Sequence, residues 1–250
     1  MPEPLPVFAL HGWALNAAVF APLRAWCAGR WLVTPDLPGH GQRHDESLGR
    51  DPDAIVQRLL AEAPPRSLWL GWSLGSLLTL AAALRQPERM TALVLVASTP
   101  CFVAREDWPA GMARENLERL AVSLEHDPAA AVNDFLTWQV RSNERGIAAL
   151  SGLRGALAER GNASPEALAD GLALLEAMDY RAELARLTMP VLVIAGGRDR
   201  LVRPAAARTL AAQLPQARLA MIAQAAHAPF LSHPLEFRAA LHEFLATLDE

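Results

Sequence analysis

The chain has 250 residues and a formal net charge of −4, and it is 52% hydrophobic and 20% charged. That balance excludes intrinsic disorder, and its slight acidity leaves no basic field for nucleic acid. Cys27 and Cys101 are too few for a disulfide scaffold. No apolar run approaches the ~18 residues that a membrane span needs. The first ten residues, MPEPLPVFAL, lack the pattern of a signal peptide. A cytoplasmic monomer with no membrane or nucleic-acid partner is expected.

In chain order, apolar runs rich in β-branched and aromatic residues predict strands at 7–10 (VFAL), 31–34 (WLVT), 68–71 (LWLG), 92–97 (ALVLVA), 191–195 (VLVIA) and 218–222 (RLAMI). The runs are mostly uninterrupted rather than alternating, as in strands buried on both faces. Helices are predicted between and after them at 52–63, 74–84, 204–214 and 234–248, with Pro204 and Pro234 at tolerated first-turn positions. Strand alternating with helix implies an α/β fold, a doubly wound and mostly parallel sheet. The rhythm breaks over 101–188, where the pattern is helical with polar breaks at His126 (HDP) and Gly161 (GNASPE). That length exceeds one crossover, so residues 1–100 and 189–250 are read as a core and 101–188 as an inserted helical cap.

The sharpest motif is Gly71-Trp72-Ser73-Leu74-Gly75, between a predicted strand and a predicted helix. A G-x-S-x-G arises by chance in a chain of this composition with a probability of about 0.035, before that context is required. A tight strand-to-helix turn makes a serine hydroxyl accessible and aims an amide at a developing oxyanion. Serine is a poor nucleophile without a base, and the base needs an orienting acid. Asp199 follows the strand at 191–195 and His227 the strand at 218–222, so both fall on loops at the sheet's carboxyl edge. Singly, Asp199 reads equally well as a cap and His227 as a core histidine; together, in this order, they read as a triad with Ser73. His233 and His242 are rivals for the base, but one precedes Pro234 and the other lies within the last helix. The oxyanion hole is expected at the amides of Leu74 and Trp13. His11 is expected to bond its own loop's backbone, and Asp36 and His40 (in DLPGHG) to be structural.

HGW, DLPGHG, GWSLG, GGRD and AHAPFLSHP together resemble the α/β-hydrolase superfamily. HGWALNAAVF, LWLGWSLG, PERMTALVLVASTPCF, the Trp108-Pro109 pair and FLTWQ look like one family within it, the esterase of biotin synthesis that hydrolyses the methyl ester of pimeloyl-acyl-carrier protein. The resemblance spans nearly the whole chain and is weakest in the cap. It implies the same triad and no cofactor or metal. It also implies substrate contacts at Trp13, Ser73, Leu74, Phe135, Leu136, Thr137, Trp138, Gln139 and His227. Two departures stand out. Only six residues precede the first strand, leaving little room for the family's leading hairpin and predicting a shorter sheet edge. Where the family is similar in using cap arginines to dock its acidic carrier, this chain has Ala130, Asp134, Ile147 and Ser151, with Arg141, Arg145, Arg154 and Arg160 nearby.

The chemistry expected is ester hydrolysis through an acyl-enzyme on Ser73, with Trp72, Phe135 and Trp138 as walls of an acyl channel. The alternatives are another serine hydrolase acting on small esters, lactones, thioesters or carbon–carbon bonds, and a non-catalytic binding module. A cysteine enzyme using Cys101 has no nearby base in sequence and an apolar setting beside Pro100 and Phe102.

Overall fold

A computed structural model describes residues 5–27, 29–140 and 144–249. Six strands, β1 (Val7–Leu10), β2 (Leu32–Val33), β3 (Ser67–Trp72), β4 (Met90–Val96), β5 (Val191–Gly196) and β6 (Ala217–Ile222), form one sheet. Its order is β2-β1-β3-β4-β5-β6 and every pairing is parallel. Every residue of β1, β3 and β5 is buried. Successive side chains point to opposite faces, so both faces of these strands are covered, which is why the runs read as apolar rather than alternating.

β2 is shorter than the expected 31–34. As an edge strand it pairs on one side only, and Trp31 is 69% exposed while its carbonyl accepts from the Val7 N–H. Pro35, with no N–H to donate, follows Thr34.

Helices α1 (Pro52–Glu62) and α2 (Leu74–Arg85) precede β4, and α2 packs on β1, β3 and β4. Four helices then intervene before β5: α3 (Arg114–His126), α4 (Pro128–Val140), α5 (Glu144–Arg160) and α6 (Pro165–Ala177). Two of the breaks between them fall at Asp127 and at 161–164, where Gly161 has φ +95° and the Ser164 side chain accepts from Ala167 N–H to cap α6. Residues 101–113 are not helical as expected. Isolated bridges join Cys101 to Asp179, Val103 to Met112 and Arg105 to Trp108, with Pro109 in the turn. The α5 end is tied to the core: Asn16 Nδ2 donates to Ala156 O (2.8 Å) and Gly161 O (3.0 Å), and Arg160 pairs with the buried Asp36 (3.4 Å). After β5, α7 (Pro204–Gln213), the short α8 (Pro229–Ser232) and α9 (Pro234–Ala246) complete the chain, with Pro204 and Pro234 in their first turns. Among the described residues no helix is long and apolar enough to cross a membrane.

The chain leaves β1 for β2 on one side and returns to β3 on the other, so the carboxyl ends of β1 and β3 flank the point where the winding reverses. In open α/β sheets that crevice is where ligands bind.

Candidate active site

Ser73 sits between β3 and α2 with φ 56° and ψ −119°, a conformation that L-residues avoid. Its N–H donates to Val96 O (3.1 Å), and its carbonyl accepts from the Ser76 N–H (2.9 Å) and hydroxyl (2.6 Å). Gly75 is obligatory here. A Cβ on it would lie 2.2 Å from Leu10 O, so only glycine lets α2 start against the end of β1. Ser73 itself remains half-buried.

His227 Nε2 lies 2.9 Å from Ser73 Oγ, and His227 Nδ1 lies 2.8 Å from Asp199 Oδ2. With Nδ1–H donating to the carboxylate, Nε2 is left to accept the serine proton. The other Asp199 oxygen accepts from the N–H groups of Leu201 (2.8 Å) and Val202 (3.0 Å), which fixes the carboxylate in place. His227 and Asp199 are 1% and 4% exposed. The three residues predicted on separate loops therefore meet. Their arrangement fits a nucleophile, a base and an orienting acid.

Leu74 opens α2, so its N–H has no intrahelical acceptor. The loop after β1 passes close by: a Cβ on Gly12 would lie 3.2 Å from Ser73 Cβ, which brings the following residue, Trp13, beside the nucleophile. The Trp13 indole donates to Leu168 O (2.9 Å), and its ring meets Phe135 edge-on at 4.8 Å and 84°. His11 is structural. It accepts from Leu37 N–H through Nε2 and bonds Gly12 O through Nδ1, both at 2.9 Å. Burial and neighbouring His40 hold its pKa down to about 3, and burial holds that of His40 down to about 4. Asp36 accepts from the N–H groups of Ala17 and Gln42. His233 precedes α9 with its Nδ1 bonded to Ser232 Oγ, and His242 bonds Trp26 O, so neither rival meets Ser73. Cys101 is buried and bonded to Val103 O, and burial raises its thiol pKa.

The segment 135–139 lies on α4 and divides by face. Phe135 meets Trp13, and Leu136 borders a cavity of about 210 Å³ between α4 and α5. Gln139 is buried, and its main-chain carbonyl accepts from His227 N–H (3.1 Å). Thr137 bonds Asn133 O within its own helix, and Trp138 lines a groove between α3 and α4. Trp72 is not a channel wall. It is 1% exposed, and its indole N–H donates to His227 O (2.8 Å). Strand alternation places it inside the sheet layers, a face that the motif alone does not specify. Arg145 pairs with Glu236, Arg154 with Asn133 and Arg160 with Asp36, while Arg141 lies outside the described residues. Ala130, Asp134, Ile147 and Ser151 are all exposed. Asn16, to which the sequence reading gives no role, joins this loop region to α5.

The model of the alpha/beta hydrolase family matches residues 7–240. The chain belongs to that family. Curated relatives of this hydrolase include a protein from Xanthomonas campestris pv. campestris, 42% identical over 96% of this chain and 94% of its own length. Another, from Stenotrophomonas maltophilia, is 41% identical over 96% and 92%. Both carry the name pimeloyl-[acyl-carrier protein] methyl ester esterase. Among solved structures, an esterase from Thermogutta terrifontis superposes with a TM-score of 0.82 at 22% identity, over 99% of this chain and 92% of that one, which shows the shared fold.

Proposed function

We propose that this hydrolase is a serine carboxylesterase that removes the methyl ester from pimeloyl-acyl-carrier protein in biotin synthesis. The observation that carries the reading is the 2.9 Å approach of His227 Nε2 to Ser73 Oγ with Asp199 behind the ring, in a chain 41–42% identical to relatives of that name. Ser73 attacks the ester carbonyl as His227 takes its proton, and the Trp13 and Leu74 amides hold the oxyanion. Collapse of the tetrahedral intermediate expels methanol, which leaves with the proton returned from His227. Water, deprotonated by His227, then frees the ω-carboxylate and restores Ser73. The segment 101–188 serves as the cap over this edge of the sheet, and Phe135 and Leu136 contact the acyl chain.

The carrier's arm approaches beside Arg154. The cavity between α4 and α5 is walled by Ala14, Val132, Leu136 and Leu168, with Asn133 and Arg154 at its polar side. Apolar walls suit the acyl chain, and the amide and guanidinium suit the amides and phosphate of a pantetheine arm. Arg145 and Arg160 are already paired with acids. Arg154→Glu is expected to raise KM for the carrier-bound ester about tenfold and that for p-nitrophenyl butyrate far less. Equal KM changes for the two esters would remove Arg154 from docking.

The deciding experiment compares turnover of pimeloyl-acyl-carrier-protein methyl ester with shorter and longer carrier-bound esters, a lactone and a thioester. The reading expects the pimeloyl ester to have the highest kcat/KM. Faster lactone or thioester turnover would assign another hydrolase chemistry to the same triad.

A further inference from the structure

His227 is held by its main chain as well as by its ring. Its N–H donates to Gln139 O at the end of α4, and its carbonyl accepts from the Trp72 indole N–H at 2.8 Å. Trp72 immediately precedes the nucleophile. Its ring meets Phe230 edge-on at 5.1 Å and 82°, in the short helix that begins two residues after His227. We propose that Trp72 is a positioning residue, whose indole N–H anchors the His227 carbonyl and so sets the reach of Nε2 to Ser73 Oγ. The inference rests on the reading of Ser73 and His227 as the catalytic pair.

Packing alone does not require an indole here. A phenyl ring would keep an edge-on contact with Phe230 but would have no N–H to offer. The bond spans 155 positions in sequence and ends on the loop that carries the base. That loop, 223–228, has no ladder of its own. Its main chain is held by the Ala225 N–H to Ile222 O, the Arg198 N–H to Ala225 O, the Leu231 and Ser232 N–H groups to Ala228 O, and the two bonds at His227. Because Trp72 and Ser73 are neighbours, one peptide unit links the nucleophile to the anchor of its base. Removing the donor leaves a buried carbonyl short of a partner, and the loop relaxes by an amount the fold tolerates better than the reaction does.

Two substitutions test this: Trp72→Phe, and replacement of Trp72 by 3-benzothienylalanine, which keeps the bicyclic shape and exchanges the N–H for sulfur. Both are expected to lower kcat for p-nitrophenyl butyrate about tenfold while KM stays within about twofold. Covalent labelling of Ser73 by a fluorophosphonate slows by a similar factor, and the benzothienyl variant melts close to the parent. A benzothienyl variant with parental kcat and labelling rate, in an active parent, overturns the inference alone. A parent that neither hydrolyses the ester nor labels at Ser73 overturns the esterase reading, and the inference with it.

Discussion

Ser73→Ala lowers kcat for ester hydrolysis by about a million-fold, because it removes the one atom that attacks and leaves the rest of the machinery idle. The fold is expected to survive intact. The Ser73 N–H still reaches Val96 O, and its carbonyl still accepts from Ser76, since both bonds are main-chain on the Ser73 side. Asp199→Asn tests the other end of the relay and costs about 10⁴-fold, because an amide facing Nδ1 favours the wrong imidazole tautomer. Its remaining oxygen keeps the Leu201 and Val202 amides, so stability changes little. Steady-state kinetics with p-nitrophenyl butyrate, alongside circular dichroism, read both outcomes. A Ser73→Ala protein retaining more than about 1% of kcat would displace the hydroxyl from its role.

Acid is expected to unfold this chain earlier than its carboxylates alone would dictate. His11 and His40 are fully buried, and each is neutral for a structural reason. His11 accepts a hydrogen bond at Nε2, and His40 bonds Pro38 O through Nδ1 while its Nε2 is buried with no partner. Protonation would break the first arrangement and strand a charge in the second. Both pKa values fall from 6.5, to about 3 and about 4. The unfolded chain therefore takes up protons below about pH 6.5 while the folded chain does not, and stability falls as pH falls. The loss ends near pH 4 for His40 and near pH 3 for His11. By pH 5 it is about 2 kcal/mol per histidine. Urea unfolding between pH 7 and 4.5 should show the decline, and His40→Asn should flatten it. An unchanged slope in that variant would exclude His40 as a source.

The sheet was legible because burial on both faces writes itself into the residues. β1, β3, β4 and β5 emerge from VFAL, LWLG, ALVLVA and VLVIA with bounds moved by at most two residues. β2 was overdrawn, since an edge strand keeps apolar composition after its pairing has ended. The meeting of Ser73, Asp199 and His227 was readable because each follows a strand, and parallel strands deliver their following loops to one edge. The contacts that hold the base were not readable. Gln139 acts through a carbonyl that every residue possesses, and the Trp72 indole could have pointed to either side of the sheet. The 3₁₀ segment Ala17–Ala25 carries Pro22 and no strong periodicity, and its contacts with α5 and β1 are what give it a role.

The left-handed backbone at Ser73 bears on how such a chain could be made hardier. A residue held there forfeits roughly 1–3 kcal/mol of folding free energy. Alanine would recover none of it, whereas glycine, free of a Cβ, would recover part. Directed evolution scored on heat resistance alone would therefore be drawn to glycine at position 73 and would deliver a sturdier but inert protein. Screens on this scaffold need turnover as a co-selected trait, with stabilising changes sought away from the strand-to-helix elbow.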